Sequence, residues 1–197
     1  MIAHFKLNIP IEKFFQDGSE FEIKRKSDYI SYTEFLKYFN VLKTITRHNL
    51  IIGINFTYGW MPTIFNFRSE KFEDVLHILN KVKKGNDVNI DNLILLKGFF
   101  NNSLVGTTKI LHFINPDKFA IYDSRVYRYL TNQEPNQSRI GNCRTYLDYL
   151  EFCAYLTKQK RFNSLKKKIE RKVGYSMSDF RVVELIMYSK GAKINAK

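Results

Sequence analysis

Acidic residues are scarce in this chain: 19 Asp and Glu stand against 32 Lys and Arg over 197 residues, a formal net charge of +13. That imbalance argues against an ordinary enzyme of a neutral small substrate and for a polyanionic partner. Cysteine is scarcer still, with only Cys143 and Cys153. They lie in a segment of helical pattern and do not share a face of it, which excludes a disulfide framework or thiolate metal site and reads as two buried free thiols. Four prolines, no internal repeat and no low-complexity tract leave nothing that marks a flexible linker. No apolar run reaches the roughly 18 to 20 residues needed to cross a bilayer, so no membrane partner is expected. Met1 to Phe21 carries Glu12, Lys13 and Asp17 where a signal peptide would be apolar, which points to the cytoplasm.

Several chemistries are missing as well. The chain holds no P-loop or dinucleotide-binding glycine loop, no His-Glu-x-x-His, no Cys-x-x-Cys and no Gly-x-Ser-x-Gly. Glu70, Glu73, Asp74 and Asp148 have the spacing of ordinary helix surface, which ranks a metal nuclease low. Neither a metal nor a cofactor is expected.

What is present is helical periodicity. Asp28 to Ile45 places Ile30, Phe35, Leu36, Phe39, Leu42 and Ile45 at helical spacing, with Ser27 or Asp28 as cap. Ser69 followed by Phe72, Val75, Leu76, Ile78 and Leu79, and closed by Lys83-Lys84-Gly85, predicts a capped helix with a glycine stop. Further helices are predicted over 90–101, 107–114, 124–131, 143–158, 163–173 and 178–189. Lys6 to Phe15 and Glu20 to Lys26 are short enough for a small N-terminal hairpin or irregular arm. Leu50 to Phe67 is apolar and β-branched enough to read as strand, but Gly53, Gly59 and Pro62 favour a loop or short helix, with Tyr58 and Trp60 lining a pocket. The expected fold is mostly α, a helical bundle, as one compact domain over residues 1–197 or two helical lobes with a cleft near 98–126.

From Thr157 onward the chain holds 12 basic and 3 acidic residues, so residues 157–197 are expected to form basic C-terminal helices that touch phosphates. Lys158, Lys160, Arg161, Lys167, Lys168, Arg171 and Lys172 are the candidate backbone contacts, with Lys166 in the same run. On one helix Lys167 and Arg171 share a face and Lys168 and Lys172 the neighbouring one, a stripe able to track a nucleic-acid backbone. The competing reading of each side chain is a solvated face.

The most informative segment runs from Ser103 to Val126. Gly106-Thr107-Thr108-Lys109, an apolar helix, then Ala120-Ile121-Tyr122-Asp123 before a new helix resembles the helix-hairpin-helix DNA glycosylases, particularly their 8-oxoguanine glycosylase branch. The resemblance covers about Phe99 to Leu130. Its hairpin is degenerate, with Gly106 where the family has two glycines, and the lysine-to-aspartate interval is shorter than in that family's better-known members. The resemblance implies a helix-hairpin-helix bundle in which Lys109 is the nucleophile and Asp123 assists it. The implied activity is removal of a modified or damaged base from duplex DNA by Schiff-base chemistry, with or without AP-lyase strand cleavage, in a nucleoid-associated monomer.

The residues themselves allow that chemistry. Asn115-Pro116 stops the first helix, leaving enough chain to bring an amine and a carboxylate to one cavity, and Asp123 stands where it would cap the next helix. An amine kept partly neutral by burial and by the positive end of its own helix attacks C1′ of an extruded nucleotide, and the carboxylate balances the developing sugar charge. His112, three residues on, is a candidate contact to phosphate or expelled base. Trp60, Tyr58 and Tyr122 are candidate stacking partners for the flipped base. The competing readings are a cap for Asp123, a solvated lysine for Lys109, a core histidine for His112 and core aromatics. They lead to a non-catalytic DNA-binding protein of the same architecture or, further off, an RNA-binding accessory factor.

Overall fold

The computed structural model describes residues 9–23, 27–61, 63–67 and 70–192, those at 27–29 through the backbone alone. Among these residues the regular structure is entirely helical, in eleven helices. The chain divides into two compact units: a central one, Arg25–Phe119, and a terminal one, Met1–Lys24 with Ala120–Lys197.

In the terminal unit, α1 (Ile11–Ser19) replaces the expected hairpin or arm; residues 6–8 and 24–26 of that expectation lie outside the described ones. A nine-residue helix is marginal alone, and tertiary contacts hold this one. Phe14 and Phe15 are buried, and Asp17 accepts from Tyr129 Oη at 2.8 Å and Lys13 Nζ at 2.6 Å.

The central unit packs α2 (Ser27–Asn40), α3 (Arg47–Trp60), α4 (Phe72–Lys83) and α5 (Ile90–Phe99) around α6 (Leu104–Ile114). Helix α2 stops at Asn40, not Ile45, for two local reasons. Lys83 Nζ reaches its C-terminal end at Phe39 O, 2.7 Å. Beyond it, the Asn80 amide bonds both the N–H and the carbonyl of Ile45, at 2.8 and 2.9 Å, holding that residue out of helical geometry. Ser27 and Asp28, expected as caps, are helical residues.

Helix α3 is the largest departure from expectation, because the apolar, glycine-bearing stretch from Leu50 is mostly regular helix. Thr46 and Asn49 form a reciprocal capping box at its start, which satisfies two otherwise orphaned groups. Gly53 is a packing residue: a Cβ there would lie 2.4 Å from Cζ of the buried Phe39 ring. Helix α4 ends as its sequence predicts, with Gly85 at φ 88° and the paired bonds Asn86 N–H to Lys81 O and Gly85 N–H to Val82 O, at 3.0 and 2.9 Å, of a left-handed glycine stop. Its expected cap, Ser69, lies outside the described residues.

The remaining terminal-unit helices are α7 (Ser124–Thr131), α8 (Gln137–Ile140), α9 (Cys143–Thr157), α10 (Phe162–Val173) and α11 (Asp179–Lys190). Helix α11 is their centre, against α1, α7, α9 and α10. All eight residues from Phe180 to Met187 are buried, so the charged pair Arg181–Glu184 is enclosed with its helix. Cys143 and Cys153 are buried free thiols, as expected. Burial pushes the Cys153 thiol well above its ordinary range.

Two glycine substitutions test this packing in opposite directions. A Cβ at Gly191 would stand 1.9 Å from the Arg125 carbonyl, whereas one at Gly98 meets nothing within 4 Å. Gly191→Ala is expected to cost about 2 kcal/mol or more through overpacking. Gly98→Ala is expected to gain about 0.5–1 kcal/mol through helix propensity. Chemical denaturation of the two variants checks both signs.

Candidate active site

Helix α6 is apolar on nearly every side, and nine of its eleven residues are buried. The exceptions are Val105 and Lys109, four apart and therefore on one face. Lys109 thus stands on the one stripe where the central helix of its unit meets solvent.

The approach to α6 differs from the expected glycine hairpin. The turn after α5 uses Asn101 and Asn102 in the left-handed region, at φ 56° and 53°, a conformation asparagine tolerates better than most residues. Ser103 Oγ then caps α6 by accepting from Gly106 N–H at 3.1 Å. Gly106 is accordingly the third residue of the helix, not part of the turn. Its role is close approach: a Cβ would lie 2.4 Å from Tyr58 Oη, which donates to Phe100 O at 2.9 Å. Tyr58 is 2% exposed, so it ties α3 to the turn and is closed to a stacked base. Burial pushes its hydroxyl well above the ordinary tyrosine range.

Lys109 is the sixth residue of α6. It therefore lies in the second turn, where the helix dipole contributes little, contrary to the expectation that its own helix start would act on it. Its Nζ sits 5.0 Å from the centroid of Trp60, a half-exposed ring at the end of α3. The indole is held by Phe113, Phe35 and Tyr32, with ring centroids at 5.6, 6.2 and 6.5 Å. Of the expected stacking residues, Trp60 is the one that keeps partial exposure.

His112 turns the other way. It is fully buried, with Nδ1 2.6 Å from Phe119 O and Nε2 2.8 Å from Tyr32 Oη. A carbonyl only accepts, so Nδ1 carries a proton, and in the neutral ring Tyr32 donates to Nε2. Both nitrogens are engaged in the core, which corrects the expected phosphate or base contact.

Asp123 and Tyr122 belong to the terminal unit. Asp123 caps α7, its Oδ1 accepting from Arg125 and Val126 N–H at 2.9 and 3.0 Å, and the carboxylate is half-buried. Tyr122 is fully buried among Tyr149, Tyr146 and Tyr127, with centroids at 5.6, 5.9 and 6.5 Å. It is core, not a stacking platform, and burial pushes its hydroxyl up. The residues missed in the sequence are Tyr146 and Tyr149, whose hydroxyls donate to Ala120 O and Ile121 O at 3.2 and 3.3 Å. They clamp the extended segment that delivers Asp123. Their signal was a Tyr-x-x-Tyr spacing on one face of a predicted helix.

The basic run is partly consumed inside its own unit. Arg161 forms a forked pair with Glu12, at 2.7 and 2.5 Å, and covers the Phe15 ring. Lys166 pairs with Asp179 at 2.7 Å. Lys168 and Lys172 donate to Ser19 O and Phe21 O at 2.8 and 2.5 Å, carbonyls at the end of α1 and just beyond it. The expected stripe of Lys168 and Lys172 therefore faces α1, and Arg161 is likewise engaged. Lys158, Lys160, Lys167 and Arg171 are exposed.

Among the described residues no group of three or more His, Cys, Asp or Glu side chains is arranged to hold a metal. None of the described helices is long and apolar enough to cross a membrane. No protein-family model, curated protein or solved structure matches the chain.

Removing the Tyr32 hydroxyl takes away a buried hydrogen bond to His112 Nε2. Tyr32→Phe is expected to lower stability by about 1–3 kcal/mol, measured as a shift in the urea midpoint at unchanged slope.

Proposed function

We propose that this chain is a DNA glycosylase that extrudes a modified or damaged base and uses Lys109 as the nucleophile, with or without AP-lyase cleavage as a second step. The observation that carries the reading is the position of Lys109 on the single solvent-facing stripe of an otherwise buried helix, beside a half-exposed indole. The net charge of +13 and the exposed Lys158, Lys160, Lys167 and Arg171 suit a phosphate backbone. So does the local resemblance of the Gly106 to Asp123 segment to helix-hairpin-helix glycosylases.

In this reading the neutral amine of Lys109 forms a bond to C1′ as the C1′–N bond breaks. The base leaves with the bonding pair and takes up a proton. Opening of the C1′–O4′ bond then gives the iminium, the Schiff base that water hydrolyses or that precedes elimination of the 3′ phosphate. The resemblance assigns to Asp123 the negative charge that balances the oxocarbenium-like transition state and the base that takes up the lysine proton.

One observation favours a second reading. The double backbone bond to Asp123 Oδ1 accounts for that residue as a helix cap, which leaves a non-catalytic DNA-binding protein with Lys109 as a phosphate contact.

Borohydride trapping on a panel of duplexes carrying modified bases separates the two. A covalent protein–DNA adduct, lost in Lys109→Gln, is the expected result; equal base release and nicking by Lys109→Gln on every substrate would sink the nucleophile role. With four exposed cations contributing, duplex affinity should fall with salt at a log–log slope of roughly −3.5. A slope near zero would remove the DNA assignment.

A further inference from the structure

The half-exposed indole beside Lys109 has a role that base stacking alone does not explain. A lysine side chain is a flexible four-carbon stem, and each contact its ammonium makes narrows the places it takes up. Here the ammonium lies over the Trp60 ring at 5.0 Å, within the range where the ring's electron-rich face attracts a cation. The ring itself is immobilised. Phe113 comes from α6, while Tyr32 and Phe35 come from α2. Tyr32 is in turn pinned by its hydrogen bond to His112, one turn along from Lys109. Both ends of the Lys109–Trp60 contact are therefore referred to α6, one through the lysine backbone and one through the Phe113 and His112 contacts.

We propose that Trp60 is the positioning residue of Lys109: its indole face docks the ammonium in the DNA-free protein and sets the starting point from which the amine reaches a sugar carbon. An extruded base that stacks on the same face displaces the ammonium, so occupancy of the ring and release of the amine are coupled. The kinetic half of this proposal rests on the lysine-nucleophile reading; the docking half does not.

Two measurements test it. Trp60 is the chain's one tryptophan, so the emission of the whole protein reports on that ring. Lys109→Met keeps the side chain's length and removes its charge, and is expected to shift the emission of the DNA-free protein, while Lys81→Met on α4 leaves it unchanged. Unchanged emission in Lys109→Met overturns the dock.

The second measurement uses a duplex carrying an abasic site, whose ring-opened C1′ aldehyde isolates amine chemistry from base recognition. The lysine nitrogen bonds to C1′, water leaves, and cyanoborohydride delivers hydride to the iminium to give a stable secondary amine. Under single turnover with saturating protein, Trp60→Leu is expected to slow trapping about tenfold through misplacement of the amine. Trp60→Phe, which keeps a weaker aromatic face, is expected within about threefold of the parent. Trapping by Trp60→Leu at the parent rate, or a loss in Trp60→Phe as deep as in Trp60→Leu, overturns the positioning role. If the parent chain gives no adduct with any duplex, the glycosylase reading fails, and the emission comparison alone decides whether the lysine docks on the ring.

Discussion

Enclosure of α6 is the constraint on which the central unit depends. Four helices cover it, and an apolar helix without a polar side can only be stable when surrounded. That enclosure singles out Lys109: with nine of eleven residues buried, a long charged side chain at this position has one stripe through which to leave. The same enclosure turns His112 inward, because a residue three positions along lies close on the wheel yet falls beneath α2, where Tyr32 meets it.

In each unit several buried polar groups have partners that tie elements together. In the central unit the Tyr58 hydroxyl goes to Phe100 O, and His112 bridges Tyr32 and Phe119 O. In the terminal unit Tyr146 and Tyr149 bind the backbone just ahead of Asp123, and Arg181 pairs with Glu184 inside α11. The bonds from Tyr58, Tyr146 and Tyr149 join elements distant in sequence to short irregular segments, which otherwise have few hydrogen bonds of their own. The Asn101-Asn102 turn and the Ala120–Tyr122 segment are fixed in this manner, and they precede Lys109 and Asp123.

The excess of positive charge is divided between paired and exposed side chains. Part of it assembles the terminal unit, where Arg161, Lys168, Lys172 and Lys190 fasten α1 through Glu12, the carbonyls at its end, and Glu20. Arg161 holds the Glu12 carboxyl below its ordinary range, and Lys190 does the same for Glu20. Another part stays exposed on α10 and the turn before it, at Lys158, Lys160, Lys167 and Arg171.

Helical class, the glycine stop of α4 and the cap at Asp123 were determined by the sequence itself, because each depends on neighbours within one or two turns. Helix α3 was not legible, since Gly53 and Gly59 normally weaken a helix and only the Phe39 ring explains the first of them. Helix α1 was hidden because its stability comes from Asp17, Phe14 and Phe15 meeting distant partners. Tertiary structure alone decided that Gly106 makes room for Tyr58, that Tyr122 and His112 are core, that Lys168 and Lys172 face α1, and that Lys109 rests on Trp60. The physical reason is common to all of these: a side chain's local spacing limits which face it occupies, but burial and charge pairing depend on what the rest of the chain brings to that face.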